Sequence, residues 1–315
     1  MDRDLSKTVK KACVTGGAGF IGSQVVRNLL ARDIDVVVID NLSVGRRENV
    51  PAAATLVEAD ILDSAVMDDI AGCDAVFHLA ARVAIRSSFE FVVEDTTANV
   101  VGTANVLRGA TRADSRVRKF ILASSMAVYA DSPQPTPISE DYTLQPVSPY
   151  GVSKLAAEML VRQMCDQSGI DSAVLRLFNT YGRGQALSPY VGVATIFANA
   201  MREGRAPSIF GDGEQRRDFI HVEDVAQGFI NAMLHPTEGK VFNIGSGQAL
   251  TVNQVYSAIA QALNFDQPPV YAEAVPGELR NSIADNSRAR QTIEFNPKHV
   301  FADTIAGVLE GVGGS

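Results

Sequence analysis

Short runs of apolar and β-branched residues alternate with longer helix-like stretches through the first half of the chain. The strand-like runs fall at residues 12–15, 36–39, 55–57, 75–79, 119–123 and 173–178. Helix-like stretches fall at 21–31, 98–111 and 153–167. Strands that are buried on both faces appear as continuous apolar runs, because helices cover both sides of a parallel sheet. The pattern therefore predicts an α/β fold with a doubly wound parallel sheet.

This alternation stops after residue 178. Residues 179–189 are rich in Gly, Asn and Ser, which is typical of a binding loop. A helix-like stretch at 194–202, a strand-like run at 241–244 and a helix-like stretch at 252–263 follow. We therefore predict a first domain over 1–178, to which 218–247 returns. A smaller, discontinuous α/β substrate-binding domain is expected over 179–217 and 248–315.

Composition narrows the classes of function. The 315 residues are 46% hydrophobic and 20% charged, with a net charge of −8, which does not favour a nucleic-acid-binding surface. The chain begins with polar residues, and no run approaches the ~18 apolar residues of a membrane span. Its three cysteines are an odd number, and no His/Cys cluster has zinc spacing. We expect a cytoplasmic protein without membrane contact, disulfides or metal.

A glycine-rich turn joins the first predicted strand to the first predicted helix. Gly16, Gly19 and Gly22 suit a dinucleotide: a tight turn, an approach for the pyrophosphate and close packing of helix on strand. Backbone N–H groups at the start of the helix then face the phosphates. The alternative is a glycine-rich turn of an unrelated α/β fold. The βαβ context favours a Rossmann-type nucleotide-binding domain.

The second predicted strand ends in Asp40, where a ribose-binding acid is expected. A carboxylate there accepts a free 2′-hydroxyl and repels a 2′-phosphate, so the sequence predicts NAD in preference to NADP. Arg46 and Arg47 follow closely and weaken this prediction slightly. Their alternative role is in a solvated loop.

Tyr150 and Lys154 stand four residues apart at the start of a predicted helix, so their side chains share one face. An ammonium beside a phenol is expected to lower the pKa of the phenol and make it a base for an alcohol proton. Such pairs are also common on solvated helix faces. The dinucleotide loop in the same chain favours the catalytic interpretation.

Ser124 and Ser125 follow the apolar run 119–123. The carboxyl end of a central strand is where open α/β sheets bind their ligands. Ser125 is therefore expected to donate to a substrate oxygen and to relay its proton towards Tyr150. Capping of the following turn is the alternative, and it stays open for Ser124.

Taken together, these motifs resemble the extended short-chain dehydrogenase/reductase family, in particular its NAD-dependent nucleotide-sugar epimerases and dehydratases, a group that is UDP-glucose 4-epimerase-like. The resemblance covers nearly the whole chain. Further family-like strings occur at residues 60–61, 78–81, 176–182, 211–213, 217–222 and 284–285. Ala130 departs from the pattern, which usually has Gly there.

The resemblance implies roles for individual residues. Two histidines in the family-like motifs, His78 and His221, are expected to be structural. The catalytic set is Ser125, Tyr150 and Lys154. The cofactor-binding set is Gly16, Gly19, Phe20, Ile21, Gly22, Asp40, Asn41, Asp60, Ile61, Leu79, Ala80, Ala81, Tyr150 and Lys154. The substrate-binding set is Ser125, Asn179, Phe210, Arg217, Arg280 and Ser282.

The reaction follows from what stands beside the catalytic serine. The family's 4,6-dehydratases have an acidic pair there, whereas this chain has Met126 and Ala127, which transfer no proton. The resemblance then implies 4-epimerisation through a transient 4-keto sugar and enzyme-bound NADH. Reductases and dehydratases of the family stay as alternatives. A non-catalytic scaffold that binds NAD or a nucleotide sugar is the alternative from another class, and the retained catalytic set argues against it.

The substrate is less defined. Ser282 stands where the family has a gate residue, and its small size predicts a pocket for UDP-glucose and UDP-galactose that also admits UDP-GlcNAc and UDP-GalNAc. Residues 184–193 resemble epimerases of dTDP-6-deoxyhexoses, and UDP-uronic acids are a further possibility. The resemblance also implies a homodimer through the helices at 98–111 and 153–167.

Overall fold

The computed structural model of the protein describes residues 9–83, 87–185, 192–274 and 280–310. Its strands are β1 Lys11–Thr15, β2 Asp35–Asp40, β3 Thr55–Glu58, β4 Ala75–His78, β5 Lys119–Ser125, β6 Asp171–Leu177, β7 Asn179–Tyr181, β8 Ser208–Phe210, β9 Arg216–His221, β10 Val241–Ile244, β11 Ala249–Thr251, β12 Val270–Ala272 and β13 Asn281–Ser282. Its α-helices are α1 Phe20–Leu30, α2 Val66–Ala71, α3 Val92–Thr96, α4 Gly102–Ala110, α5 Pro149–Gln167, α6 Val193–Arg202, α7 Val222–Leu234, α8 Val252–Leu263, α9 Ser287–Ile293 and α10 Phe301–Glu310.

A seven-stranded parallel sheet forms the centre of the molecule, in the order β10-β6-β5-β4-β1-β2-β3. Its apolar strands are buried because two hydrophobic clusters cover its two faces, one including α1 and α7 and the other including α4 and α5. The predicted doubly wound sheet is confirmed. The chain reverses its direction of progress between β1 and β4, and the carboxyl ends of strands at such a point border the ligand crevice of open α/β sheets.

A second layer of structure is built around β9. It pairs with β7, β11 and β13, while β8 pairs separately with β12. Helices α6, α8 and α10 pack around a third core with aromatic residues at its centre. Asn179–Tyr181 is therefore a strand at the start of the predicted binding loop, which is stabilised by its parallel pairing with β9.

The predicted domains can be compared with the sheet in which each strand lies. Strand β10 lies in the large sheet, and α7 packs on α1, as a return of the chain to the first domain requires. Helix α9 contacts β10 and α7, although it falls in the stretch assigned to the second domain. The division at 178, 217 and 247 stays a prediction.

Two helices differ from their predicted bounds. The stretch expected at 98–111 starts earlier, as α3, and passes through a π-helical turn at Thr97–Val101 into α4. Helix α5 starts at Pro149, because Ser148 accepts the N–H of Gly151 and proline fits the first turn.

Cys13, Cys73 and Cys165 are free thiols in the core. Within the described residues, we find no helix with the length and hydrophobicity needed to span a bilayer.

Candidate active site

The glycine turn lies at the carboxyl end of β1, at the point where the sheet reverses. Gly16 has φ of +70°, and a side chain there would press against the backbone N of Ala80 at 2.7 Å. A side chain at Gly22 would collide with the carbonyl oxygen of Gly16. Gly19 precedes α1 and gives it no side-chain cap. Its missing side chain leaves a cradle in front of the helix N–H groups, a shape that fits a pyrophosphate.

The acids at the ends of β2 and β3 lie close to this turn. Asp40 accepts the N–H groups of Ala18 at 3.0 Å and Leu42 at 2.9 Å, which fixes its carboxylate. Asp60 accepts the amide of Asn41 at 2.8 Å, so the two turns are joined. The structure thus brings Asp40, Asn41 and Asp60 to one edge of the sheet.

The arginines that weakened the prediction of NAD lie in an exposed loop. Arg47 forms an ion pair with Glu58, the last residue of β3, and both side chains are more than half exposed. Arg46 is exposed as well. The pairing of Arg47 agrees with the solvated-loop interpretation.

His78 is buried at the end of β4, before Leu79, Ala80 and Ala81. One ring nitrogen lies 2.7 Å from the hydroxyl of Thr15 and the other 2.9 Å from that of Thr103. Burial, together with the charge of Lys154, lowers the pKa of His78 to about 3, so the ring is neutral. Its contacts fit the structural role that was expected.

Tyr150 and Lys154 lie in the first turns of α5, and both side chains are nearly fully buried. The hydroxyl of Ser125, at the end of β5, reaches the phenol of Tyr150. Burial raises the pKa of Tyr150 to about 12, while the Ser125 hydrogen bond opposes this shift and the charge of Asp95 adds to it. The expected net lowering of the Tyr150 pKa is therefore wrong for the chain by itself, because loss of hydration raises it.

Lys154 is affected by the same burial. Loss of hydration lowers its pKa to about 8, and the charges of Glu158 and Asp95 oppose that shift. The two shifts have one cause, since burial disfavours the charged form of either group.

The capping role that was left open for Ser124 belongs to Ser125. Ser125 accepts the N–H of Ala127 at 3.2 Å and so caps the short 3₁₀ turn Met126–Val128. Ser124 does not cap it and instead donates to the carboxylate of Glu158. The side chains of Met126 and Ala127 are buried in this turn.

The predicted substrate residues gather on the smaller sheets. In β9 and β13, Arg217 pairs in register with Ser282, and its guanidinium lies 3.4 Å from the carbonyl of Arg280. Asn179, on β7, donates to the carbonyl of Asp218 at 3.2 Å. Phe210 ends β8 and is 39% exposed.

Arg280 has a carboxylate partner. Its guanidinium forms two parallel hydrogen bonds with Asp212, at 2.9 and 3.0 Å. The arginine holds the pKa of Asp212 at about 2. Both side chains are close to half exposed, so this pair is accessible to a ligand.

Ser282 is fully buried, and its hydroxyl has no hydrogen-bond partner in the described part of the chain. The segment 184–193, whose sequence bears on the choice of sugar, has residues 186–191 outside the described residues.

Sequence reasoning missed a polar network behind Tyr150 and Lys154. Asp95 and Asn99 are buried and bond to Ser153 at 2.6 and 3.0 Å. With Thr103 they form a stripe of polar residues at four-residue spacing, and that spacing was the available signal. A second buried pair, Arg176 and Glu158, lies 2.7 Å apart.

The tertiary structure also brings together His221, Glu223 and His299, whose ligand atoms lie within 4.8 Å of one another. No such cluster was expected from spacing. Nδ1 of His221 accepts the N–H of Glu223 at 3.4 Å and caps α7. A neutral ring in that role carries its proton on Nε2, so it offers no lone pair to a cation.

Comparisons with known proteins agree with this geometry. Residues 12–245 match the model of the NAD dependent epimerase/dehydratase family. The UDP-glucose 4-epimerase of Mycolicibacterium smegmatis is 36% identical over 95% of this chain and 97% of that protein. A Thermotoga maritima UDP-glucose 4-epimerase, solved with UDP-glucose, has a TM-score of 0.91 and 34% identity, covering 96% of this chain and 98% of that one. The Thermus thermophilus UDP-glucose 4-epimerase complex with NAD has a TM-score of 0.88 and 30% identity, covering 97% and 99%.

Proposed function

Because this chain belongs to the NAD dependent epimerase/dehydratase family, we propose that it is an NAD-dependent nucleotide-sugar 4-epimerase. The observation that carries the proposal is the hydrogen bond of Ser125 to Tyr150 at the carboxyl edge of the sheet that also holds the glycine turn, next to the inert Met126 and Ala127. A dehydratase needs an acid and a base beside the serine, and these side chains supply neither.

The chain fits NAD along the edge of the sheet that reverses at β1. The cradle before α1 would hold the pyrophosphate, Asp40 would accept ribose hydroxyls, and Asn41, Asp60 and Ile61 would hold the adenine. Leu79, Ala80 and Ala81 would line the path towards Tyr150 and Lys154. When bound, NAD supplies the acceptor for the hydride of the sugar carbon and returns it.

In the proposed reaction, the side chains of the protein transfer one proton, that of the sugar 4-hydroxyl. The phenolate oxygen of Tyr150 accepts the proton of the sugar 4-hydroxyl, and Ser125 holds that hydroxyl and passes the proton along its hydrogen bond. With its pKa at about 12, Tyr150 is a strong base in its ionised form. The Ser125 hydrogen bond favours that form, and in this proposal the Lys154 ammonium offsets a further part of the cost that burial imposes on it. The same phenol returns the proton at the end of the cycle.

The substrate is a UDP-hexose in this proposal. Arginine guanidinium groups suit a diphosphate because two N–H donors meet two phosphate oxygens, and Arg217 and Arg280 lie on adjoining strands. Asn179 and Phe210 would complete the nucleotide side. Uridine is favoured over thymidine because the Thermotoga relative was solved with UDP-glucose. The small Ser282 supports tolerance of a 2-acetamido group.

We further propose that the protein forms a homodimer and acts in the cytoplasm. Exposed apolar side chains lie on α3, on the π-helical turn that follows it and on α5, three segments that pack on one another. They are Val92, Val93, Val101, Val152 and Met159. Several exposed apolar residues on adjoining helices are typical of an interface. Sedimentation should give a dimer, and Met159→Glu should give a monomer. The free thiols are compatible with a reducing compartment.

A substrate panel tests the activity. UDP-glucose, UDP-GlcNAc, UDP-glucuronate and dTDP-rhamnose are incubated with the protein and NAD, and products are identified by NMR. We expect the C4 epimer of at least one UDP-sugar, without net accumulation of reduced nicotinamide. A dehydrated or reduced product would contradict the proposal, and binding without turnover would indicate a scaffold.

A further inference from the structure

Asp95, on α3, is a fully buried carboxylate with no part in the mechanism above. Its Oδ2 accepts the hydroxyl of Ser153 at 2.6 Å and the amide of Asn99 at 3.3 Å. Its Oδ1 has no hydrogen-bond partner among the described residues, where Asp95 also forms no ion pair. A buried carboxylate without a cation is costly. The fold must therefore compensate this charge nearby.

The network fixes Asp95 against the helix that carries the catalytic pair. Ser153 stands beside Lys154 in α5, and its hydroxyl also lies 2.9 Å from the carbonyl of Tyr150. Asn99 donates to Ser153 at 3.0 Å and to the carbonyl of Arg82 at 3.0 Å. The carboxylate is thus held in place and cannot turn away from α5.

Lys154, on the same turn of α5 as Ser153, is a buried cation on which the charge of Asp95 acts. Three titratable groups interact electrostatically with it: Glu158 from its own helix, His78 from β4 and Asp95 from α3. Tyr150 precedes it by one turn of α5. His78 is neutral. Glu158 lies 2.7 Å from Arg176 and also accepts the hydroxyl of Ser124, so another cation already offsets its charge. Glu158 has the larger effect on the Lys154 ammonium, but Asp95 is the carboxylate without a cation of its own among the described residues.

We propose that Asp95 is the counter-charge of Lys154, a positioning residue that keeps the buried ammonium protonated and directed at the site. The inference rests on the proposed function, in which the Lys154 charge assists Tyr150. Since burial already lowers the pKa of Lys154 to about 8, loss of the Asp95 charge moves its titration towards neutral pH.

The test follows the proton on Lys154 itself. Lysine side chains are isotopically labelled, the Lys154 signal is assigned by its loss in Lys154→Arg, and it is titrated by NMR. In Asp95→Asn, which keeps the shape of the side chain, the midpoint should fall by about one pH unit. The matched control Asp166→Asn, at an exposed site of the same helix, should leave it unchanged. An unshifted midpoint in Asp95→Asn overturns the proposal.

Two further variants separate an electrostatic role of Asp95 from a purely structural one. Ser153→Ala removes the hydroxyl bridge and keeps the carboxylate, so the Lys154 midpoint should stay near that of the wild type. Lys154→Met should lower the melting temperature, and adding Asp95→Asn to it should restore part of the loss. If Asp95→Asn lowers the melting temperature equally with and without Lys154, the residue is a scaffold and the proposal fails.

Activity provides an independent readout. The alkaline limb of the pH profile of kcat/KM should move to lower pH in Asp95→Asn, by the same amount as the NMR midpoint. If the wild type turns over no nucleotide sugar, the proposed function fails, while the titration still decides the role of Asp95.

Discussion

The two sides of the candidate site are built differently. On the side of the large sheet, Tyr150 and Lys154 are buried, and Ser125 is fixed by the turn that it caps. On the side of the smaller sheets, Phe210 and Arg280 are partly exposed, and Arg280 is held by Asp212. The first side is preorganised for chemistry. Under the proposed function, Arg280 on the second side exchanges its partner Asp212 for a ligand, so catalysis and substrate binding should respond differently to mutation.

The largest effect is expected at the buried side. Tyr150→Phe removes the proton acceptor, so turnover should fall by about 10²- to 10⁴-fold, whereas binding of NAD and UDP should be retained. Steady-state assays and calorimetry measure the two quantities. Tyr271→Phe, at an exposed tyrosine on β12, is the matched control and should keep full activity. Retained turnover in Tyr150→Phe would remove the phenol from the mechanism.

The glycine turn should be nearly as sensitive. A methyl group at position 22 collides with the carbonyl of Gly16, so Gly22→Ala should cost about 1–3 kcal/mol of stability and most of the NAD affinity. Gly307→Ala, in α10 with no neighbour within 4 Å of the added carbon, is the control and should be neutral or stabilising. Thermal unfolding with and without NAD gives both quantities. Equal NAD binding by the two variants would contradict a pyrophosphate in the cradle.

Substitutions on the exposed side should change the affinity for UDP and leave the chemical step unaffected. Arg280→Ala should weaken UDP binding by about tenfold to a hundredfold, because charged hydrogen bonds to phosphate are lost, and NAD binding should not change. Asp212→Asn removes the competitor for the same guanidinium and should keep or strengthen UDP binding. If Asp212→Asn weakens binding as much as Arg280→Ala, the carboxylate orients the arginine and does not compete with the ligand.

The smallest effect is expected at Ser282. Its buried hydroxyl lacks a partner among the described residues, so Ser282→Ala removes a polar group whose burial is not compensated. The free energy of unfolding should stay constant or rise by up to about 1 kcal/mol. Chemical denaturation measures it. A clear loss of stability would mean that the hydroxyl has a partner, such as an ordered water molecule.

Local patterns predicted much of the fold and of the buried side. Apolar runs anticipated the strands of the large sheet, since strands buried on both faces need apolar residues at every position. The one-turn spacing of Tyr150 and Lys154 anticipated their common face. The expected lowering of the phenol pKa was wrong, because burial raises it, and that burial follows from the packing of α5 on β5 and α3.

What the sequence determined by itself is local: the glycine turn that opens α1, the strand ends at Asp40 and Ser125, and the helix that carries Tyr150 and Lys154. These follow from backbone geometry within a few residues. Only the tertiary structure decided that Asp95 bonds to Ser153, 58 residues later, and that Arg280 bonds to Asp212, 68 residues earlier. The charges that surround a side chain and its access to water depend on which segments pack together. Spacing along the chain does not predict that packing.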